Sequence, residues 1–240
     1  MNLFYAPGLL PDNTQYTFGK EESRHIVKVL RKKKGDRLFL TDGVGGWYEG
    51  EITKTDFKQT IVKIQDYKKR RKKAYRLHIA IAPVKSNDRF EWFLEKATEI
   101  GIDEITPLWN KYSERKKINK NRYEKIIISA MKQSLQVYKP TLNSFTKWND
   151  FLKQAEDNQY KLIAYCKAQQ NLNDVLKKSN NDKEIDKIVI VIGPEGGFSD
   201  EELNIAKQVG FIPILLSNNR LRTETAGVVA VSNVHLKMDF

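Results

Sequence analysis

The feature that most constrains the fold is an apolar run that leads directly into a glycine-rich turn, at residues 188–199 (IVIVIGPEGGFS). Its first five residues are mostly β-branched, which is typical of a short strand covered on both faces in a parallel sheet. Gly196 and Gly197 can adopt positive φ and leave the backbone exposed. Ser199 and Glu202 have the spacing of a capping box and predict a helix after the turn. In α/β sheets, ligands bind where a strand ends in such a loop and a helix N-terminus follows.

A second polar loop follows the next apolar run. Residues 211–216 predict another buried strand, and the next residues are polar up to the last helix, where Thr223 is placed to act as the cap. The first loop has neither the Gly-Lys-Ser/Thr of a Walker A loop nor the G-x-G-x-x-G of a dinucleotide fingerprint. Taken alone, it could be only a tight turn between a strand and a helix. Two successive strand ends with polar loops favour a ligand site.

The remaining patterns divide the chain into a small N-terminal barrel and a larger α/β domain. In the first part we expect one helix over residues 21–31 and strands at residues 3–5, 37–41, 47–53 and 59–64. The boundary is predicted within residues 66–75. Beyond it, strands alternate with helices, which indicates a parallel sheet. The further strands are expected at residues 77–82, 104–108 and 161–166, and the helices at residues 89–100, 122–138, 148–156 and 224–237.

The two loops together resemble a known family. IGPEGGFSDEEL (residues 192–203), followed by LRTETA (residues 221–226), is similar to the RsmE family of SPOUT methyltransferases, which methylate uridine N3 in small-subunit ribosomal RNA. The chain departs from this family where it reads Leu216-Ser217-Asn218, because members commonly have a Leu-Gly pair there. Other segments extend the resemblance over nearly the whole chain: SRHIVKVLRKKKGD (23–36), DGVGGWYEGEI (42–52), DRFEWFLEKATEIGIDEITPL (88–108) and MKQSLQVYKP (131–140).

The resemblance implies an architecture, a cofactor and a quaternary structure. The fold would be α/β, with a SPOUT-type parallel sheet and a C-terminal trefoil knot at residues 75–240, preceded by a PUA-like RNA-binding β-barrel at residues 1–70. The cofactor would be S-adenosyl-L-methionine (SAM), and two subunits would pair across the knotted cleft as a homodimer. The residues expected to bind the cofactor come from both loops: Gly193, Pro194, Glu195, Gly196, Gly197, Leu216, Leu221, Thr223 and Ala226.

Arg222 is the candidate catalytic residue. Methylation at uracil N3 requires loss of the N3 proton, which spreads negative charge onto two carbonyl oxygens, and a planar guanidinium can meet two acceptors. The alternatives for Arg222 are a structural ion pair or a phosphate contact. The candidates for removing the proton are Tyr165, Glu195, Glu224 and solvent. Glu195 or Glu224 could also compensate for the sulfonium charge, although Glu224 could simply be a favourable carboxylate in the first turn of a helix.

Positive charge is concentrated in the N-terminal part of the chain. Residues 1–75 contain 17 Lys/Arg against 9 Asp/Glu, within a formal net charge of +12 for all 240 residues. This predicts an anionic partner bound in a salt-dependent manner, and the resemblance implies that the partner is small-subunit ribosomal RNA or an assembled ribosomal subunit. A solvated linker is the alternative for the basic run at residues 68–73. The predicted RNA-binding residues are Arg24, Arg31, Lys32, Lys33, Lys34, Arg70 and Arg71.

Composition argues against several other classes of protein. With a single cysteine, Cys166, and three scattered histidines, the chain cannot form an intramolecular disulfide and is not expected to hold a metal. Its longest apolar runs are far shorter than the roughly 20 residues of a membrane-spanning helix, and its N-terminus lacks the charged start of a signal peptide. We therefore expect a cytoplasmic protein without a membrane partner.

Together with the paired loops and the basic N-terminal part, the resemblance implies a SAM-dependent methyltransferase that modifies N3 of a uridine in 16S ribosomal RNA. Two alternatives stay open. One is a SPOUT methyltransferase that acts on another RNA atom, such as a ribose 2′-hydroxyl or a guanine of transfer RNA. The other is a non-catalytic RNA-binding factor for ribosome assembly, for which the basic N-terminal part would suffice.

Overall fold

The computed structural model describes residues 1–155, 157–179 and 186–238. The chain divides into two compact units. Unit 1 comprises Met1–Lys72 with Met131–Lys139, and unit 2 comprises Lys73–Ala130 with Pro140–Phe240. In the described part of the chain, no helix is both long enough and apolar enough to cross a membrane.

Unit 1 is built on one five-stranded sheet. Its strands are β1 (Leu3–Tyr5), β2 (Gln15–Phe18), β3 (Arg37–Thr41), β4 (Gly46–Lys54) and β5 (Thr60–Lys69). Their order is β1-β3-β4-β5-β2, with β1 parallel to β3 and the other pairs antiparallel. The sequence did not predict β2, because Phe18 is its one fully buried side chain. The core of unit 1 includes Phe4, Phe18, Ile26, Leu38, Leu40, Tyr48, Ile52 and Val62.

The helix predicted over residues 21–31 is shorter and irregular. It consists of α1 (Lys20–Arg24) and a π-helical turn (His25–Val29). Arg31 has a φ of +53°, a conformation in which an α-helix cannot continue. Ile26 is buried, whereas Val29 is 67% exposed. The apolar stripe expected from α-helical periodicity is therefore only partly in the core.

The basic run at residues 68–73 is partly a strand and not only a linker. β5 continues five residues beyond its predicted end, and Lys68 and Lys69 pair with Trp47 and Gly46. The backbone N–H of Arg70 then donates to the carbonyl of Gly45 at 2.9 Å. The linker interpretation is wrong for these three residues, because β4 and the turn before it supply their backbone partners.

Residues 131–139 belong to unit 1. The helix predicted to reach residue 138, α3 (Lys120–Gln133), ends five residues earlier. Leu135 has a φ of +58°, and the N–H of Gln136 donates to the carbonyl of Met131 at 3.0 Å. This left-handed conformation terminates the helix. Val137 then packs with Leu3 and Trp47 in a small apolar cluster.

Unit 2 contains a parallel sheet, which confirms the predicted α/β class. Its strands are β6 (Arg76–Ile81), β7 (Glu104–Trp109), β8 (Thr141–Leu142), β9 (Thr146–Lys147), β10 (Tyr160–Ala164), β11 (Lys187–Ile192) and β12 (Ile212–Ile214). The order is β12-β10-β11-β6-β7-β8, and β9 also pairs with β7. All of these pairs are parallel.

Helices accompany this sheet in the alternation that the sequence predicted. Besides the part of α3 in this unit they are α2 (Asn87–Ile100), α4 (Trp148–Gln154), α5 (Leu172–Ser179), α6 (Asp200–Gln208) and α7 (Thr223–Met238). α5 was not predicted. Residue 156, the predicted end of the helix that corresponds to α4, lies outside the described residues.

The central strand β11 is buried on both faces, as its apolar sequence predicts. Ile188, Ile190 and Ile192 belong to one core cluster, whereas Val189 and Val191 belong to the other. On the first side α7 approaches α2 closely. A Cβ at Gly227 of α7 would lie 2.5 Å from the ring of Phe93, so only glycine fits there. The end of β11 is thus held between two cores.

Candidate functional site

The turn after β11 connects the central strand to α6 through residues 193–199, here called the glycine loop. The N–H of Gly197 donates to the carbonyl of Pro194 at 2.8 Å and closes a tight turn. Gly197 has a φ of +72°, which confirms that it uses the freedom of glycine. The same expectation was wrong for Gly196, whose φ is not positive. Gly196 is limited by space instead, because its Cβ would lie 3.1 Å from Cβ of Tyr112.

The predicted capping box at the start of α6 is present. The N–H of Glu202 donates to Oγ of Ser199 at 3.2 Å, and the N–H of Ser199 donates to Oε2 of Glu202 at 2.9 Å. Oε1 of Glu202 accepts from the N–H of Lys111 at 2.7 Å. Because Glu202 is buried, its two oxygens join the glycine loop firmly to the turn after β7.

A second loop, residues 217–222, leads from β12 to α7 and is here called the arginine loop. Oγ of Ser217 accepts from the N–H of Asn219 at 3.1 Å, so the chain's departure from a Leu-Gly pair supplies a side-chain hydrogen bond within the turn. The strand before this loop is shorter than predicted and ends at Ile214. The N–H of Leu215 then donates to the carbonyl of Gln170 at 2.8 Å. The segment after β10 therefore lies beside the arginine loop, which the sequence did not reveal.

The glycine loop and the arginine loop meet at the carboxyl edge of the sheet. Oγ1 of Thr223 donates to the carbonyl of Gly193 at 3.1 Å. The guanidinium of Arg220 donates to the carbonyl of Glu195 at 3.4 Å. Thr223 is the first residue of α7 and not its cap, since its hydroxyl is used to join the two loops. Two segments separated by about 20 residues of sequence thus form one site.

The side chains named from the sequence differ in exposure. Glu195, Gly196 and Arg222 are exposed, whereas Pro194, Thr223 and Ala226 are buried. Leu216 and Leu221 are partly buried and pack against the core of unit 2. In the part of the chain that the structure describes, the guanidinium of Arg222 forms no ion pair. No ion pair with another described residue of unit 2 therefore accounts for Arg222.

Glu224 is buried in the first turn of α7, and its Oε1 lies 3.9 Å from Nε of Arg89 in α2. The Arg89 side chain is half exposed, so the pair lies at the surface of the site. A carboxylate in the first turn is also favoured by the helix dipole. The simpler interpretation of Glu224, a structural carboxylate, is consistent with these contacts.

A third segment, residues 82–87, follows β6 at the same edge of the sheet. The N–H of Ala82 donates to the carbonyl of Ile192 at 3.0 Å, next to the glycine loop. Arg115 holds this segment: its Nε donates to the carbonyl of Val84 at 3.1 Å, and the guanidinium also donates to the carbonyl of Lys85 and to Oδ1 of Asn87. The sequence did not predict this role of Arg115. Its neighbours are lysines, and nothing in the pattern distinguishes an arginine that donates hydrogen bonds within the chain from a solvated one.

The basic residues predicted to bind RNA lie on two elements of unit 1. Arg24, Arg31, Lys33 and Lys34 are exposed and Lys32 is partly buried, in α1 and the segment after the π-helical turn. Arg70 and Arg71 follow β5 and are also exposed. The guanidinium of Arg70 lies over the indole of Trp47, 4.0 Å from the ring centroid. This contact orients Arg70 and leaves its charge at the surface.

Among the described residues, no three or more His, Cys, Asp or Glu side chains are grouped so that they could hold a metal ion. His78 of β6 is buried and its Nε2 lies 2.7 Å from Oγ1 of Thr106. Burial disfavours the imidazolium and lowers the pKa of His78 to about 4, against a smaller opposing effect of Glu104. His78 is therefore a neutral, hydrogen-bonded core residue.

Comparison with known proteins matches both parts of the chain. The RNA methyltransferase domain family matches residues 71–235, and the RNA methyltransferase PUA domain family matches residues 18–65. The chain is 30% identical to Ribosomal RNA small subunit methyltransferase E of Rickettsia conorii, covering 98% of this chain and 95% of that protein.

Two solved structures are similar over nearly their full lengths. One is a probable rRNA-methyltransferase from Porphyromonas gingivalis, with 36% identity, a TM-score of 0.87, and coverage of 100% of this chain and 99% of that one. The other is a Legionella pneumophila protein in complex with the bound cofactor SAM, with 29% identity, a TM-score of 0.86, and coverage of 98% and 96%.

Proposed function

The chain belongs to the family of ribosomal RNA small subunit methyltransferase E, with a PUA domain before its RNA methyltransferase domain, and from this premise we propose that it transfers the methyl group of SAM to small-subunit ribosomal RNA. The observation that carries the proposal lies at the carboxyl edge of the parallel sheet. There Thr223, the residue that follows the arginine loop, donates from its Oγ1 to the carbonyl of Gly193 in the glycine loop. Such edges are the ligand sites of α/β sheets. The SAM-bound structure similar to this chain supports the choice of cofactor.

The residues present fit SAM. A Cβ at Gly197 would meet nothing within 4 Å, so open space lies beside the exposed backbone of the glycine loop. The amides and carbonyls of this backbone can hydrogen-bond an adenine edge and ribose hydroxyls, while partly buried apolar side chains offer a surface for the adenine ring. The proposed cofactor-binding residues are Gly193, Pro194, Glu195, Gly196, Gly197, Leu216, Leu221, Thr223 and Ala226. When bound, SAM supplies an electrophilic methyl group on a cationic sulfonium.

We assign the methylated atom to N3 of a uridine. Methyl transfer is an in-line displacement, so the protein must mainly hold the donor and the acceptor collinear. Loss of the N3 proton leaves negative charge on the base. Arg222 is suited to stabilise this charge, because it is exposed, directly precedes the first residue of α7, and forms no ion pair in the described part of the chain.

Unit 1 is proposed to bind ribosomal RNA through Arg24, Arg31, Lys32, Lys33, Lys34, Arg70 and Arg71. The exposure of all of them except the partly buried Lys32 supports this role, as does the PUA-domain match over residues 18–65, which contains the first five. From membership of the family we further propose that the C-terminal part of unit 2 forms a trefoil knot and that the protein is a homodimer. We also propose that it acts in the cytoplasm, on ribosomal subunits.

Nucleoside analysis of ribosomal RNA tests the assignment. Mass spectrometry of 16S RNA from a deletion strain should show loss of 3-methyluridine, and the wild-type gene should restore it. Loss of a 2′-O-methylated nucleoside or of a methylguanosine in transfer RNA would instead identify a methyltransferase that acts on another RNA atom. Unchanged nucleosides, together with no SAM binding in calorimetry, would leave a non-catalytic assembly factor. A micromolar affinity for SAM, about −8 kcal/mol, would contradict that alternative.

A further inference from the structure

An exposed aromatic side chain lies directly against the glycine loop. Tyr112 follows β7 and is 46% exposed. A Cβ at Gly196 would lie 3.1 Å from Cβ of Tyr112 and 3.4 Å from its Cγ. One part of the tyrosine therefore covers the backbone of the loop to which we assign the cofactor, and the rest of its ring is open to solvent.

The turn that carries Tyr112 is held by buried polar groups. Oγ of Ser113 accepts from the N–H of Asn110 at 3.1 Å and donates to Oδ1 of Asn110 at 2.5 Å. Nδ2 of Asn110 donates to the carbonyl of Gly197 at 3.3 Å, and the N–H of Lys111 donates to Oε1 of Glu202 at 2.7 Å. The groups that hold the glycine loop therefore also hold Tyr112. The backbone at Tyr112 is thus fixed before a ligand binds, which lowers the entropy cost of ordering this turn on binding.

The segment that carries the ring is positively charged. Residues 111–117 contain four cations and one carboxylate. Arg115 donates its hydrogen bonds to the segment after β6. In contrast, Lys111, Lys116 and Lys117 are exposed and form no ion pair within the described part of the chain. Nζ of Lys111 lies 5.9 Å from the centroid of the Tyr112 ring. An exposed aromatic ring on a lysine-rich segment suits a partner that combines π faces with phosphates.

We propose that Tyr112 is a stacking platform for an unpaired base of the substrate RNA, with Lys111, Lys116 and Lys117 contacting the adjoining phosphates. This rests on the proposed function. An enzyme that acts on a base must take that base out of its helical stack, and an aromatic side chain replaces the stacking that is lost. RNA would thus be bound by unit 2 itself, beside the cofactor loop, in addition to the basic surface of unit 1.

Two substitutions separate stacking from support of the loop. Tyr112→Phe keeps the aromatic face, whereas Tyr112→Leu keeps an apolar contact with Gly196 and removes the π face. The substrate is small ribosomal subunits from a strain that lacks this protein. Calorimetry measures SAM affinity, filter binding measures subunit affinity, and single-turnover assays measure methyl transfer. We expect Tyr112→Phe to match the wild type within about twofold. Tyr112→Leu should weaken subunit binding or slow transfer about five- to hundredfold, the range of one base-stacking contact, with unchanged SAM affinity.

The salt dependence of subunit binding tests the role of the lysines separately. Replacing Lys116 and Lys117 by Gln should reduce the salt dependence of subunit binding, by about 0.7 in the logarithmic slope for each phosphate contact that is lost. An unchanged slope would remove these lysines from the proposed surface.

Other outcomes overturn the proposal in distinguishable ways. Wild-type behaviour of Tyr112→Leu would show that no base stacks on the ring. A parallel loss of SAM affinity would show that Tyr112 only supports the glycine loop, and a lower native mass in light scattering would show a contact between two copies of the chain. If the wild type transfers no methyl group to the subunits, the proposed function fails. Filter binding of the Phe and Leu variants to the same subunits still decides the role of Tyr112.

Discussion

The glycine loop and the arginine loop meet at one edge of the sheet, but unit 2 holds them very differently. The glycine loop is held by the capping box, by the second oxygen of Glu202, and by Asn110. The arginine loop has one internal side-chain hydrogen bond, which Oγ of Ser217 accepts from the N–H of Asn219, and residues 218–220 are exposed. Arg220 reaches the glycine loop through a long contact of 3.4 Å.

From this difference we infer that the two loops have different roles in the proposed site. A backbone surface that binds a cofactor must have its shape before the ligand arrives, because ordering a loop on binding would reduce affinity. A cation that meets RNA must instead be accessible. Substitutions in the glycine loop should therefore act mainly on cofactor binding, and those in the arginine loop mainly on rate.

The largest effect is expected from Gly196→Val. Its Cβ would already lie 3.1 Å from Cβ of Tyr112, and the two branched methyl groups would fill further space beside the loop. SAM binding in calorimetry should become undetectable, while subunit affinity should fall no further than it does in Tyr112→Leu, because the basic residues of unit 1 are unchanged. Gly19→Val is the matched control, because Gly19 has an extended conformation, with φ of −72°, and nothing within 4 Å of its Cβ position. Native SAM affinity in a folded Gly196→Val protein would show that this loop does not bind the cofactor.

Arg222→Lys should act on rate rather than on binding. Lysine keeps the charge but loses the planar fork that can meet two oxygens. The single-turnover rate constant, measured with SAM and subunits saturating, should fall on the order of 10²-fold, or about 3 kcal/mol. Arg220→Lys serves as the control, because among the described residues the Arg220 side chain makes only the long contact with the Glu195 carbonyl. A near-native rate for Arg222→Lys, with weaker and less salt-sensitive RNA binding, would make Arg222 a phosphate contact instead.

Glu202→Gln tests whether the glycine loop depends on its carboxylate. Both carboxylate oxygens of Glu202 accept from backbone N–H groups. The NH₂ group of a glutamine would face one of these N–H groups with a second donor. The expected loss is about 1–3 kcal/mol in the free energy of unfolding, seen as a lower Tm, together with weaker SAM binding. Glu201→Gln, at the exposed neighbouring position, should change neither. Equal Tm values for the two variants would contradict the role assigned to Glu202.

The smallest effect is expected from Ser217→Gly, which restores the Leu-Gly pair common in the family. The change removes the hydrogen bond between Oγ of Ser217 and the N–H of Asn219, which is worth about 0.5–1 kcal/mol. SAM affinity should change by less than about fivefold. Ser217→Ala isolates the loss of the hydroxyl from the added flexibility of glycine. A large loss of affinity in both variants would mean that the arginine loop is as dependent on fixed geometry as the glycine loop.

Much of the fold was predictable, because its signals are local or periodic. The burial of β11 follows from an uninterrupted apolar run, and the start of α6 follows from the spacing of Ser199 and Glu202. The predicted element boundaries were less accurate where an element ends because of contacts with residues far away in the sequence. The helix predicted over residues 122–138 ended early, because the segment around Val137 packs with Leu3 and Trp47 instead of extending α3.

The sequence by itself determined the strand, the tight turn and the helix cap of the glycine loop, since each depends on residues within a few positions of one another. Only the tertiary structure decided what surrounds them. Glu202 also bonds Lys111, 91 residues away, and Gly196 is limited by Tyr112 rather than by its own φ. No periodicity records such contacts, because they arise when the ends of parallel strands that are far apart in the chain come together at one edge of the sheet.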